Sequence, residues 1–399
     1  MIDPAAAIGG LAGLLSVAGS VTAVLAARAV WRFGQQEPRE APALPATILK
    51  PLHGAEPGLR DNLAATLAQR HAAPVQILFG VPDAVGGAGD GAGDGAGDGA
   101  GDGAGDSAGP VAEVAMAAAP DVDARLLRDA RQYGPNRKVS QLVNLAGQAR
   151  HGVLVVADAD MRMPPHWLTA VTAPLADPAV GLVTCLYHGE PGDAGLWSRL
   201  AALGIDWQFL PNACLGEALG RANGCYGATM ALRAETLARI GGFVALAGLL
   251  ADDHALGAAV RRLGLRVVVA PVLPGHVMAE PGPLALVAHE LRWARTLRAL
   301  DPAGYAGMGV TYPLVPGLLA AMLVPFGWVA LLLALAARLG LALVVDRVLG
   351  KPWRLARFLL LPLRDLLSFA IWGAGLARGT VTWQGRRYRM RPDGSMVEA

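Results

Sequence analysis

The chain has 399 residues, with 34 Lys and Arg against 32 Asp and Glu, a net charge of +2. Such near-neutrality gives no electrostatic footprint for binding nucleic acid. Only 17% of residues are charged and the mean hydropathy is +0.39, which departs from an ordinary soluble composition and points to a membrane protein. Cys185, Cys214 and Cys225 are odd in number and form no Cys-x-x-Cys, so they read as reduced structural thiols in a cytosol-facing domain.

Ala5 to Ala27 carries no charge. At ~1.5 Å per residue it can cross a hydrocarbon core of about 30 Å. Arg28 and Arg32 follow it, so the positive-inside rule puts the N-terminus outside and the rest in the cytoplasm. A cleaved signal peptide would carry its positive charge in front. After the linker Glu37 to Pro45, Thr47-Ile48-Leu49 reads as a first strand and Lys50-Pro51-Leu52-His53-Gly54 as the loop behind it. Gly58 to Arg70 repeats leucine at 59, 63 and 67, a helical spacing. Val75 to Val81 is a second strand, with Asp83 just past its end.

Gly87 to Asp106 is five copies of Gly-Ala-Gly-Asp, with almost no side chain to bury. We expect residues 86–109 to form a disordered insert, because the backbone entropy is maximal and nothing offsets it. Its period of four, without an aliphatic position, does not match a calcium-binding β-roll. Val111 to Ala119 and Val139 to Ala149 read as helices, and Ala124 to Leu127 as a short strand.

Val153-Leu154-Val155-Val156-Ala157 is the clearest strand, a continuous apolar run of the kind buried on both faces. It ends in Asp158-Ala159-Asp160, where open α/β sheets place their ligands. Alternation along a strand would turn both carboxylates to one side. Two hard oxygen donors suit Mg²⁺ or Mn²⁺ carrying a diphosphate. The pair alone also fits two solvated aspartates in a turn, which is the commoner case for so short a motif. Pro164 to Leu175 reads as a helix, and Val180 to Tyr187 as a strand ending at His188. Leu196 to Leu219 is a long apolar helix broken near Pro211. A strand at Gly227 to Leu232, a helix from Ala234, the acids Asp252-Asp253 opening another helix, and a last strand at Arg266 to Ala270 follow. This alternation predicts an α/β fold with a mainly parallel sheet and helices on both faces. No Gly-x-Gly-x-x-Gly follows the first strand and no P-loop occurs, which disfavours dinucleotide and P-loop folds.

Pro283 to Leu300 carries His289-Glu290-Leu291-Arg292-Trp293 with Arg295 and Arg298, and fits either a membrane interface or a packed domain helix. Gly304 to Ala337 has no charge, and with Leu339 to Val345 supplies two short spans turning near Pro325. Leu355 to Ala377 is apolar but holds Arg357, Arg364 and Asp365. Ionisable residues are costly in lipid, so a re-entrant or interfacial helix is expected there. The basic tail, residues 378–399, is expected in the cytoplasm. The resulting organisation is a membrane helix over residues 1–30, a cytoplasmic α/β domain over 46–300, membrane segments over 304–377, and the tail.

An acid after the second strand, an Asp-x-Asp, a later Asp-Asp and an Arg-Trp some forty residues on resemble the inverting GT-A glycosyltransferases of the ceramide glucosyltransferase family. Ile48 to Gly54, Asn136-Arg137-Lys138-Val139-Ser140, Thr184 to Gly189, Leu250 to Asp253 and His289 to Thr296 are similar, more closely, to the bacterial hopanoid-biosynthesis glycosyltransferases. The resemblance implies a GT-A fold with flanking transmembrane helices, a divalent cation (Mg²⁺ or Mn²⁺), a UDP-sugar donor and a membrane-lipid acceptor in a bacterial inner membrane. The donor implied is UDP-N-acetylglucosamine and the acceptor bacteriohopanetetrol; UDP-glucose and ceramide stay open as the alternative. Asp83 would meet the uracil or ribose, Asp158 and Asp160 the nucleotide and metal, and Asp253 would be the general base. Arg292 and Trp293 would meet the diphosphate, with Lys138 and His188 as further substrate-binding residues. The family's (Q/R)-x-x-Arg-Trp begins here with His289, which leaves the role of that position open. A processive polysaccharide synthase would need more spans and a glutamine at that position. A non-catalytic membrane scaffold would need no carboxylates at strand ends.

Overall fold

The structure, a computed structural model, describes residues 3–54, 56–82, 107–221, 224–377, 380–383, 386–391 and 396–398. The nucleoside contact expected of Asp83 falls outside these residues, as does the disorder expected of the insert as far as Asp106; its last residues, Ala108 and Gly109, open a helix instead, Ala108–Ala117. The chain divides into two compact units. One holds Met1–Gln36, Gly195–Ala222 and Glu280–Gly379; the other holds Glu37–Ala194, Asn223–Ala279 and Thr380–Ala399.

The second unit is mixed α/β. Its strands are β1 (Ala46–Pro51), β2 (Val75–Val81), β3 (Ala124–Arg128), β4 (Val153–Ala157), β5 (Met161–Arg162), β6 (Val180–Cys185), β7 (His188–Pro191), β8 (Thr229–Arg233), β9 (Arg266–Ala270) and β10 (Gly275–Met278). Seven of them form the central sheet in the order β3-β2-β1-β4-β8-β6-β9. Only β8 runs against its neighbours β4 and β6; the other pairings are parallel. The period of two sorts each strand between two cores. Ile48, Ile77, Phe79 and Val155 pack on one face with Leu63 and Trp167. Leu49, Leu78, Leu154 and Val156 pack on the other with Leu142, Leu145 and Leu256. Helices therefore cover both faces, and the apolar run 153–156 is buried on both sides, as its sequence predicts.

Several elements differ from expectation. β1 continues through Lys50 and Pro51 instead of ending at Leu49. The short strands β7 and β10 carry Gly, His and Pro and have no apolar run to announce them; they form a small sheet in the order β5-β10-β7. The tail also forms an antiparallel sheet of Val381–Trp383, Arg386–Met390 and Met396–Glu398.

The first unit is helical and inverted in its polarity. From Gly9 to Ala29 in the helix Pro4–Gly34 the inward positions are all small, among them Ala12, Ser16, Gly19, Ala23 and Ala26. Ile8, Leu11, Leu14, Val21 and Val24 are exposed on its outside. Small residues let helix backbones approach where apolar burial supplies no drive between helices. A Cβ on Gly9 would lie 2.6 Å from a Val324 methyl, and one on Gly34 2.6 Å from a Val348 methyl. Ser16 donates its hydroxyl to the carbonyls of Pro313 (3.0 Å) and Ala330 (3.2 Å), tying three helical segments together.

Several charges of this unit are buried inside it. Arg338, in Gly327–Val348, donates to both oxygens of Asp365, in Leu361–Leu376, at 2.7 and 2.6 Å. Arg364 grips Glu290 in the same bidentate way, at 2.7 and 2.5 Å. Arg357 and Lys351 meet Asp206, and Arg357 also meets Asp346. Asp206 sits in a π-helical turn, Ile205–Phe209, which is where the long apolar helix is interrupted. Pro211 does not break it, because that proline lies in the first turn of the next helix, Leu210–Ala218, where a missing N–H costs nothing.

Pro4–Gly34, Gly327–Val348 and Leu355–Leu376 are long and apolar enough to cross a membrane. Pro302–Thr311 and Leu314–Leu323 pass the same test only together, and are bent by 58° between them. Arg357, Arg364 and Asp365 are all paired inside the unit, so their charge is no argument against Leu355–Leu376 crossing.

Candidate functional site

Two loops and two helix starts bring the polar groups of the α/β unit together. β4 ends at Ala157, so Asp158 and Asp160 lie in the turn beyond the strand. Strand alternation therefore does not set their direction, and each carboxylate meets a different partner. Lys138 Nζ lies 2.5 Å from Asp158 Oδ1. His276 Nε2, on β10, lies 3.0 Å from Asp160 Oδ2.

Lys138 is delivered by the helix Arg137–Ala146. Asn136 caps that helix, its side-chain oxygen accepting from Val139 N–H at 3.1 Å. The Asn136 amide nitrogen donates to the Leu249 carbonyl at 2.8 Å, just before the helix Asp252–Arg262. One asparagine thus fixes both the lysine and the approach to Asp252 and Asp253. Asp253 Oδ2 accepts from Gly227 N–H at 3.0 Å and its Oδ1 from His254 N–H at 2.7 Å. The adjacent Ala228 carbonyl accepts from Asp158 N–H at 3.4 Å. Neighbouring residues at the head of β8 therefore hold Asp253 and Asp158. A Cβ on residue 227 would come within 2.9 Å of Asp253 Oδ2, so the glycine is what admits this carboxylate.

The electrostatics follow from crowding. Burial pushes the Asp253 carboxyl up, and the like charge of Asp158 adds to it; Lys138 and the two backbone donors oppose. Asp252 is raised by burial and by Asp253. Burial of Asp253 and the like charge of Asp158 across the site are thus the causes of its rise. Asp158 is raised by burial and Asp160, against Lys138. Burial also works to raise Asp160, but His276, Lys50 and Lys138 outweigh it and bring it to about 2. Burial opposes the charge of Lys138, but Asp158, Asp252 and Asp253 hold the ammonium above its ordinary value.

The structure thus brings Lys138, Asp158, Asp160 and Asp253 together. His188 lies on β7, 3.7 Å from Glu190, which in turn takes Arg162 at 2.8 Å. Arg292 and Trp293 lie on Pro283–Leu300, in the helical unit. There His289, at the first place of the Arg-Trp motif, has defined contacts: its Nδ1 is 2.8 Å from Glu280 Oε1 and its ring stands edge-on to Trp293 at 4.5 Å. Four residues went unnoticed in the sequence. Tyr187 stacks edge-on against His276 at 5.4 Å, and its hydroxyl is raised by burial and by Asp253, Asp160 and Asp158. Lys50 is wholly buried and brought down to about 8 by that burial; Glu56 is pushed up to about 8 by burial and by Asp160 and Asp158. A lysine inside the apolar run of β1 was a signal that a counter-charge waits in the fold. A lone histidine in β10 gave none.

The sequence profile of glycosyl transferase family 21 matches residues 11–88 and 102–396, which is most of the chain. The chain belongs to glycosyl transferase family 21. It is a glycosyltransferase, and its seven-stranded unit has the α/β class with a mainly parallel sheet expected from the sequence. Among solved structures it is similar to mannosyltransferase PcManGT from Pyrobaculum calidifontis, in complex with GDP-Man and Mn²⁺, at 19% identity over 92% of this chain and 97% of that one, with a TM-score of 0.49. It is also similar to glucosyl-3-phosphoglycerate synthase from Mycobacterium tuberculosis, in complex with Mg²⁺ and UDP, at 16% identity over 61% of this chain and 73% of that one, with a TM-score of 0.33. These likenesses are distant.

Family membership raises the question of a cation. Among the described residues no three His, Cys, Asp or Glu side chains are grouped so as to hold a metal ion. Yet Asp160 Oδ1 is buried and accepts no hydrogen bond, while its Oδ2 is taken by His276. A buried carboxylate oxygen left without a donor is costly, and a hard cation is the partner that fits it. Asp158 Oδ1 likewise has no hydrogen bond of good geometry, but the ammonium 2.5 Å away satisfies it electrostatically. The residues thus fit a divalent cation held through Asp160, with Asp158 beside it. His276→Ala is expected to weaken Mn²⁺ affinity by about 10–100-fold, the usual cost of losing a partner that orients a ligand. Titrating Mn²⁺ by electron paramagnetic resonance measures it, and an unchanged affinity would remove His276 from this role.

Proposed function

We propose that this family 21 enzyme transfers a sugar from a UDP donor to a hydroxyl of a membrane lipid, with inversion at the anomeric carbon. The observation that carries the reading is Asp253: a half-buried carboxylate, fixed by two backbone donors and raised by burial, across from Asp158 and Lys138. A sugar-accepting hydroxyl is a weak nucleophile, and a positioned carboxylate takes its proton as the bond to the anomeric carbon forms. Asp253 fills that role. Asp158 and Asp160 stand on the donor side. Lys138, held positive by three carboxylates, is placed to meet the negative charge that grows on the departing UDP. A divalent cation, when bound through Asp160, would offset the charge of the diphosphate as a Lewis acid. Asp83 would meet the nucleoside, and Arg292 with Trp293 would serve the diphosphate at the membrane side, with His188 as a further donor contact.

The exposed apolar helices outside and the paired charges inside support a membrane enzyme working on a lipid. We place it in a bacterial inner membrane with the α/β unit in the cytoplasm. For the acceptor we favour bacteriohopanetetrol with N-acetylglucosamine as the sugar, on the similarity of the stretches Ile48 to Gly54 and His289 to Thr296 to hopanoid glycosyltransferases. Ceramide with glucose is the second reading, and family 21 membership favours it. The purified protein in nanodiscs, offered UDP-N-acetylglucosamine or UDP-glucose with either lipid, tests both. A glycosylated hopanoid polyol is expected; glucosylceramide as the sole product moves the assignment to the second reading, and no lipid product from any pair ends both.

A further inference from the structure

The carboxylate turn after β4 is gripped by its backbone. Lys50 Nζ donates to the Asp158 carbonyl at 2.6 Å and to the Met161 carbonyl at 3.4 Å, spanning both ends of the turn. Asn62 donates to the Ala159 carbonyl at 3.1 Å, and Val277 N–H to the Asp160 carbonyl at 2.9 Å. Four successive carbonyls are thus bound from outside the turn. Three of those bonds come from the side chains of Lys50 and Asn62, both wholly buried.

We infer that Lys50 is a positioning residue that holds the Asp158–Asp160 turn in its donor-binding shape before any donor or cation arrives. Burying an ammonium is costly, and a leucine or methionine would fill the same place in the apolar run of β1 without that cost. The lysine is explained by what its head group does. It reaches the turn from the neighbouring strand, since β1 pairs with β4 up to Leu49 and Val156, one residue short of Lys50 and Ala157. Its charge also lies beside two carboxylates that would otherwise repel each other and spread the turn. Preformed geometry of this kind is what lets charged groups act without reorganising at the moment of reaction. The inference rests on the reading that Asp158 and Asp160 serve the donor, and deepens it.

Two competing effects make the test decisive. Losing the positive charge alone would draw a cation in more tightly; losing the grip on the turn would weaken its binding. In full-length protein in nanodiscs, Lys50→Met is expected to weaken binding of Mn²⁺ with UDP by about tenfold or more, the scale of an orienting partner, while the thermal midpoint is kept. The Mn²⁺ paramagnetic spectrum should broaden as the site becomes heterogeneous. Equal or tighter binding in a folded variant overturns the inference. Hydrogen exchange on the unaltered protein gives an arm that no folding failure can remove. The amides of Asp158 and Met161 should exchange slowly without UDP or Mn²⁺, and fast exchange that slows only on adding them also overturns it. Asp160→Asn separates the two readings: it should lose Mn²⁺–UDP binding with slow exchange in the turn retained. If Asp160→Asn binds like the unaltered protein, the donor reading fails, and Lys50 loses its proposed purpose even if the turn is rigid.

Discussion

Replacing Asp253 with Asn is expected to lower turnover by about 10²–10⁴-fold, the span that a general base contributes, while leaving donor binding in place. The asparagine is nearly the same shape and keeps an oxygen for one of the two backbone donors, Gly227 or His254 N–H. It cannot take a proton, so the loss falls on kcat. A steady-state comparison of kcat and KM for the donor, with a separate UDP-binding measurement, checks the split. A loss of UDP affinity without loss of kcat would place Asp253 on the donor side instead.

The same residue sets a pH dependence. The base works only when ionised, and burial with Asp158 raises its carboxyl. The acid limb of the kcat/KM profile should therefore lie above the ordinary aspartate value of about 3.9. For folding, the sign is the opposite of a salt-bridged carboxylate. The protonated form favours the fold at low pH, and this contribution is lost as pH rises from the unfolded value through the raised folded one. Asp160, brought down to about 2 by His276 and the lysines, behaves conversely: its contribution is present at neutral pH and lost on acidification towards that value.

The second large effect concerns the helical unit. Asp365→Ala is expected to destabilise the protein by about 3–5 kcal/mol, because it leaves a buried guanidinium unpaired. Arg338 and Asp365 are 3% and 2% exposed and joined by two hydrogen bonds, so no water replaces the lost partner. Removing both charges, as Arg338→Met with Asp365→Leu, should recover most of the loss, since neither charge is then stranded. It should fall short of full recovery, because Arg338 also donates to the Trp207 carbonyl at 2.9 Å in the π-helical turn. Thermal denaturation of the single and double variants in one detergent measures the difference. Equal losses in the single and double variants would mean that the pair is held for its own interaction and not for mutual neutralisation.

What could be read from the sequence divides along physical lines. The run Val153 to Val156 announced its burial because an uninterrupted apolar stretch needs apolar cover on both faces of its strand. Pro283–Leu300 was legible to the residue, with proline at its start and leucines at helical spacing. The reversed direction of β8 was not, since nothing local to Thr229–Arg233 records which way its neighbours run. The directions of Asp158 and Asp160 were misjudged because the strand stops at Ala157, and period-two reasoning stops with it. Lys138 was legible as a candidate cation of the site, and it lies beside Asp158, whereas His276 and Tyr187 are brought in by tertiary contacts, one from the short strand β10 and the other from the connection between β6 and β7. The charged residues in Leu355–Leu376 read as a barrier to membrane entry because their partners Glu290, Asp346, Asp206 and Arg338 are distant in sequence or hidden in other apolar runs.

The central claim is a single displacement by a lipid hydroxyl, with Asp253 as base. It is tested most directly by the anomeric configuration of the product. The purified enzyme in nanodiscs, given an α-linked UDP-sugar and the hopanoid polyol, should yield a β-linked lipid glycoside, read from the coupling of the anomeric proton by nuclear magnetic resonance, and Asp253→Asn should yield almost none. An α-linked product, or full turnover by Asp253→Asn, would contradict the account.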